Sequence, residues 1–281
     1  MRELRLFLLA FFAVVAVIFS IGFVRERLSS DDKEPVIEAD SDVLEVPLSA
    51  TDEELLAGLT AHDNLDGDVT DTLVVVSRSK LIRPGTMRVN YAAFDKNNNV
   101  GTYSREVTYT DYVAPHFHLT EPLRFLNGSS SYDYLEYVSA EDCLDGDITP
   151  QIKISTGGKK AISDSVSEQT VDLQVTNSVG DTSQLELVVR MEDYASYSQP
   201  VPALREYVAY VRQGGALDLQ SYVTGIWSNG KAKPFSETDY SADDVYVSDG
   251  GLDLNTPGVY TVSYGLYDYT GETALIVVVE G

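Results

Sequence analysis

Two hydrophobic patterns divide the chain. From Leu6 to Val24 apolar residues run almost without a break, interrupted only by Ser20 and Gly22. A helix over this run would extend about 28 Å, close to the hydrocarbon thickness of a bilayer. Arg2 and Arg5 precede the run and Arg25 and Arg27 follow it, so the arginines alone do not fix an orientation. A short N-terminal tail before a large folded part favours an uncleaved signal anchor at residues 6–24. The expected address is the cell membrane, single-pass, with residues 28–281 extracellular. The alternative is a cleaved signal peptide, with Ser20 and Gly22 as small residues before the cut. Continuation of the apolar run through Phe23 and Val24 argues against it. With no Cys near the run, a lipoprotein anchor at this end is excluded.

After Glu34 the period changes to two. In REVTY at 105–109 and the residues before it, Tyr103, Arg105, Val107 and Tyr109 fall on one face, with Ser104, Glu106 and Thr108 on the other. LEV at 44–46, LVVV at 73–76 and RVNYAAF at 88–94 also predict short strands, separated by Gly, Asn, Asp and Pro turns. TDEELLAGL at 51–59 is the exception: Thr51 with Glu54 makes a capping-box pattern and predicts a short helical turn.

The strand pattern repeats. AHDNLDGDVTD at 61–71 returns as AEDCLDGDITP at 140–150, 79 residues later. SREVTYTD closes at Asp111 and LELVVRMED at Asp193. RPGTMRVNYAAFD at 83–95 matches TPGVYTVSYGLYD at 256–268, with Asp95 and Asp268 in register, while TVDLQVTN places Asn177 there. YDYLEYVSA at 132–140 resembles LDLQSYVTG at 217–225. A fixed long period means one folding unit used several times. We read a helix and linker over residues 1–34 and three modules, at 35–111, 112–193 and a divergent 194–281. Short strands at regular spacing predict an all-β fold of three tandem antiparallel β-sandwiches, joined by short connections that favour a semi-rigid rod.

The order A-x-D-x-x-DGD-[VI]-T, then PG-x-x-x-V-x-Y-x-x-x-D, then a strand closing on Asp before Pro, resembles the bacterial immunoglobulin-like domains first described in pesticidal crystal proteins. The resemblance is good over 35–111, weaker over 112–193 and partial over 194–281, where GIWSNGKAK replaces the DGD segment. It implies Ig-like sandwiches in an exported surface protein and supplies no active site.

Charge and cysteine narrow the partners. The formal net charge is −24. Residues 1–34 hold five basic and five acidic side chains, so the modules carry all of it. Such a surface repels nucleic acid and attracts cations and basic partners. A single cysteine, Cys143, rules out a disulfide scaffold and is expected to be a small buried hydrophobe.

Candidate chemistry is sparse. Asp63, Asp66 and Asp68 in the first module, and Asp142, Asp145 and Asp147 in the second, concentrate carboxylates on tight loops. They suggest a calcium site, which Asp95 joins if its loop lies at the same end. The spacing is not that of an EF-hand. The plainer reading is a turn, with glycine at positive φ and aspartates bonding nearby amides. His116 and His118 share a face, but His62 lies in another module, so a metal pair lacks further ligands. No nucleophile elbow or phosphate loop is present, and no enzyme is expected. Trp227, the only tryptophan, sits in the tyrosine-rich third module, where exposed aromatics would stack on a sugar or anchor a protein. Of the strand tyrosines there, Tyr260 and Tyr264 suit an interior. The expected function is display of modules for adhesion or protein or glycan interaction. Alternatives are a structural stalk or envelope-complex subunit, and an accessory carbohydrate-binding protein.

Overall fold

The computed structural model describes residues 2–29, 32–128 and 133–281. It divides into two compact units, residues 1–112 and 113–281. Tyr132 of the repeat at 132–140 lies outside the described residues.

The first unit begins with α1 (Arg2–Ser29). Its described side chains, Leu8, Leu9 and residues 11–23, are all exposed, Phe12 and Phe19 to 73% and 74%. Among the described residues no helix is long and apolar enough to cross a membrane. The side chains of Leu6, Phe7, Ala10 and Val24, and of the flanking arginines, lie outside the described set, so the anchor remains an expectation from sequence.

The strands of this unit are β1 (Val36–Ala39), β2 (Val43–Val46), β3 (Leu59–Asp63), β4 (Gly67–Asp68), β5 (Val74–Arg83), β6 (Thr86–Phe94) and β7 (Val100–Tyr109). They form two sheets, ordered β1-β3-β4 and β2-β7-β6-β5. The alternation holds: on β7 Arg105 and Val107 are buried while Ser104 is exposed. Ile37, Leu59, Val89, Tyr91 and Val107 form the core between the sheets. The helical turn is α2 (Asp52–Leu55), with both halves of the Thr51–Glu54 capping box made. Its freed carbonyls at Leu55 and Ala57 accept from the buried Arg105 guanidinium at 2.6 and 2.7 Å, which satisfies the helix end.

The second unit holds two more sheet pairs. The strands of its first half are β8 (His116–Leu119), β9 (Arg124–Leu126), β10 (Val138–Asp142), β11 (Gly146–Asp147), β12 (Lys153–Ala161), β13 (Val166–Thr176) and β14 (Thr182–Glu192). After α3 (Tyr194–Tyr197) come β15 (Val201–Leu204), β16 (Val208–Arg212), β17 (Val223–Ser228), β18 (Lys231–Pro234), β19 (Val245–Ser248), β20 (Gly258–Leu266) and β21 (Glu272–Glu280). The sheets are β11-β10-β8 with β12-β13-β14-β9, and β15-β17-β18 with β16-β21-β20-β19. Three sheet pairs therefore fill the chain after α1, as expected for tandem sandwiches.

One point of topology corrects the sequence reading. The sheets are not wholly antiparallel, because β2 pairs parallel with β7, β9 with β14, and β16 with β21. In each module the first strand lies in one sheet, and the chain then steps across so that the next strand covers the edge of the other. That edge belongs to the last strand, which runs the same way. The open edge is then a strand of only three to five residues, a shorter template for aggregation than the long last strand.

The two modules of the second unit are joined by more than a linker. Their buried apolar residues, among them Phe117, Leu187, Tyr207, Val208 and Leu275, belong to one continuous cluster. His116 stacks on Tyr210 with centroids 3.6 Å apart, and the Tyr210 hydroxyl accepts the Phe117 amide at 2.8 Å.

Candidate functional site

The DGD segment of each of the first two modules makes the same turn. Gly67 and Gly146 have φ of +77° and +70°, and the space beside each is open. Backbone conformation, not crowding, is therefore what demands glycine. Asp63 Oδ1 accepts the amides of Leu65 and Asp66, both at 2.8 Å, and Asp142 Oδ1 accepts those of Leu144 and Asp145, both at 3.0 Å. Asp68 and Asp147 each accept from the threonine amide two residues on, and hydrogen bonds from that threonine's hydroxyl, then its amide, hold both carboxyls below their ordinary pKa. The turn predicted from sequence is thus present in both copies.

Tertiary structure brings a second loop beside the first. Asp95 follows β6, and Asp63, Asp66 and Asp95 offer carboxylate oxygens that all lie within 4.8 Å of one another. Asp63 and Asp95 are buried, Asp66 half-buried. Asp68 is not part of this group. The charge is partly balanced: Lys96 Nζ donates to Asp66 Oδ1 at 2.8 Å and the Lys96 amide to Oδ2 at 2.8 Å. These bonds pull the Asp66 carboxyl below its usual range and raise Lys96. Asp95 accepts the Asn99 amide and side chain at 2.7 and 2.6 Å.

In the second module the corresponding loops carry Asn177 and Ser178. Asn177 Nδ2 donates to Asp142 Oδ2 at 3.1 Å, and Ser178 donates amide and hydroxyl to Asp145 at 2.6 and 2.7 Å. An amide and a hydroxyl replace a carboxylate and an ammonium, so the oxygen triad is specific to the first module. Cys143, in the same loop, is exposed rather than buried, and its Sγ donates to the Val113 carbonyl at 3.0 Å. Turn geometry points it outward, which the small-hydrophobe expectation did not anticipate.

The two histidines do not converge. His116 Nε2 meets Glu280 Oε1 at 2.7 Å and His118 Nδ1 meets Glu206 Oε1 at 2.6 Å. Both glutamates come from the third module, so the histidines serve the joint. Trp227 serves it too. The ring is 2% exposed, with the Arg124 guanidinium 4.9 Å from its centroid and Tyr197 edge-on at 5.3 Å. Arg124 pairs with Glu192 at 2.7 Å, their side chains 4% and 3% exposed. The expected sugar-stacking role of Trp227 is therefore corrected: a buried pair on one side and α3 on the other leave no ring face for a ligand. Tyr264 is fully buried and Tyr260 partly so, as an interior requires.

What the sequence did not reveal is a cleft of about 840 Å³ between these two modules. One wall is the outer face of β13 and β14, including Gln174, Gln184 and Val188. The other is the outer face of β20 and β21, including Thr261, Ser263 and Glu272. Across β19, β20 and β21, Tyr246, Gly265 and Glu272 stand in one row. A Cβ on Gly265 would come within 2.3 Å of the Tyr246 hydroxyl, so the phenol lies flat over the glycine. That hydroxyl donates to Glu272 Oε1 at 2.8 Å, which raises the Tyr246 pKa. Tyr267 lies beside it, centroids 5.6 Å apart, and is 72% exposed.

No family model matches the chain, and no curated protein does. Among solved structures it is similar to CBM51-2, in complex with GlcNAc, and INT domains of Clostridium perfringens ZmpB. That match is 13% identical and covers 57% of this chain and 41% of that one, at a TM-score of 0.23. It is similar to EC1-4 of Drosophila N-cadherin at 13% identity, covering 90% and 76%, TM-score 0.24. A lipoprotein from Bacteroides thetaiotaomicron matches at 13%, covering 86% and 98%, TM-score 0.20. The chain thus spans 41% of the first of these, and likenesses this distant carry no functional argument.

Proposed function

We propose that this is a membrane-anchored extracellular protein that displays Ig-like β-sandwiches for adhesion, contacting a cell-surface protein or glycan. The observation that carries the reading is three sheet pairs in series behind a helix whose described apolar side chains are exposed on every side. A helix apolar all round belongs in a protein core or a bilayer, and among the described residues no part of the protein covers those side chains. The mechanism is positioning and binding, without bond chemistry. The test is co-sedimentation of residues 35–281 with isolated cell envelope, with protease accessibility of the full chain on intact cells. Saturable binding and external cleavage support the reading. A protein that stays in the supernatant and is protected in intact cells overturns it.

The all-oxygen donor set of Asp63, Asp66 and Asp95 suits a hard cation, calcium before a softer metal. In this reading the three carboxylates hold the ion and Lys96 Nζ gives up its place on Asp66. The ion would stiffen the two loops against each other and carry no catalytic step.

A further inference from the structure

We infer that the cleft between the second and third modules, together with the Tyr246 and Tyr267 surface that adjoins its Glu272 end, is a binding site for an uncharged oligosaccharide. The inference deepens the proposed function and rests on it for the setting, though the site is argued from its own chemistry.

A sugar ring presents C–H bonds on its faces and hydroxyls around its rim. The C–H face is complemented by the electron-rich face of an aromatic ring, and the hydroxyls need paired donors and acceptors. Both are arranged here. Tyr246 is laid flat on the sheet because Gly265 has no side chain to lift it, and its hydroxyl fixes Glu272. Tyr267 extends the aromatic surface beyond it, more exposed than any other described tyrosine. The Glu272 carboxylate lines the cleft, with acceptor capacity beyond the single bond from Tyr246. Farther along, Gln174, Gln184, Thr261 and Ser263 supply neutral amides and hydroxyls from both walls.

Two competing occupants fit less well. An anionic polymer would meet a chain of net charge −24; of the three basic residues lining the cleft, Arg124 and Arg190 already face Glu192 and Glu168, and Lys153 shares the lining with Asp172, Glu186 and Glu272. An extended peptide would seek an open strand edge, but these walls are mainly the faces of β13, β14, β20 and β21, each paired on both sides, and the edge strand β12 adds only Lys153, Ile154 and Ser155.

The experiment is calorimetric titration of the full chain in detergent. The probes are hexasaccharides of glucose, mannose and N-acetylglucosamine, with polygalacturonate as the anionic comparison. The expected result is saturable binding to at least one neutral hexasaccharide and none to polygalacturonate. Tyr246→Ala and Tyr267→Ala should each weaken binding about tenfold or more, while Tyr246→Phe keeps the ring and most of the affinity. Tyr194→Ala, an exposed tyrosine outside the cleft, should change nothing. Melting curves followed by Trp227 emission verify that each variant is folded. No binding to any neutral probe, binding that survives both alanine variants, or binding confined to polygalacturonate would overturn the inference. Envelope binding and surface display that persist without oligosaccharide binding would sink the cleft alone. Loss of all three would remove the proposed function as well.

Discussion

Asn177 donates its side-chain amide to Asp142 at 3.1 Å, at the position where the first module carries the third carboxylate of a triad, Asp95. One oxygen-for-nitrogen exchange thus turns a cluster of acceptors into a closed hydrogen bond. Asp95→Asn should copy that bond onto Asp63. In chelator it should change the stability of the first unit by less than about 1 kcal/mol, since the like charge removed and the bond gained to Asp63 are offset by the bond lost from the Asn99 side chain. Thermal melts with calcium and with chelator measure this. Wild type should melt higher in calcium, and the variant should show no calcium response. A wild-type midpoint indifferent to calcium would dispose of the metal.

The joint of the second unit depends on Arg124. Removing it in Arg124→Ala leaves the buried Glu192 with only the Arg190 guanidinium, 3.4 Å away, as counter-charge and strips the cation from Trp227. The expected cost is roughly 3–5 kcal/mol. Because Trp227 is the only tryptophan, its emission reports on this joint alone and should shift to the red in the variant. Unchanged emission and denaturant midpoint would show that the pair does not hold the modules together.

The turn glycines give a test of backbone against contact. Gly67→Ala and Gly146→Ala meet open space but require a left-handed residue. Each should lose about 1–2 kcal/mol, whereas Asn at either position should cost less, since its side chain tolerates positive φ. Equal losses for Ala and Asn in urea melts would point to a cause other than φ.

Acid and alkali should act through different residues. Hydrogen bonds hold Asp66, Asp68, Asp147, Asp193 and Asp253 below the ordinary carboxyl range. Their contribution is complete above the unfolded pKa of about 3.9 and is lost as pH falls through the lower folded values. Burial pushes Tyr207 and Tyr210 up to about 12. Their contribution is complete below the unfolded pKa of about 10 and disappears as pH rises toward 12. Unfolding followed between pH 2 and 12, with phenolate absorbance on the alkaline limb, checks both signs. Phenolate appearing fully near pH 10 while the unit stays folded would contradict the second.

The period-two alternation, the capping box at Thr51 and the repeat of DGD turns were legible in the sequence, because each follows from residues a few positions apart. Alternation puts Val107 inward and Ser104 outward in any sheet that buries one face, and only glycine takes positive φ at Gly67 without strain. Composition likewise set the acidic surface and its aversion to polyanions. Packing decided the rest. Whether Asp95 meets Asp63, whether Trp227 faces solvent or an arginine, and whether two modules enclose a cleft depend on which strands pair and which faces meet. The parallel pairing of β2 with β7 and the stacking of His116 on Tyr210 join residues 63 and 94 positions apart. Contacts over such separations leave no periodic trace in the chain, since their energy comes from surfaces that exist only after folding.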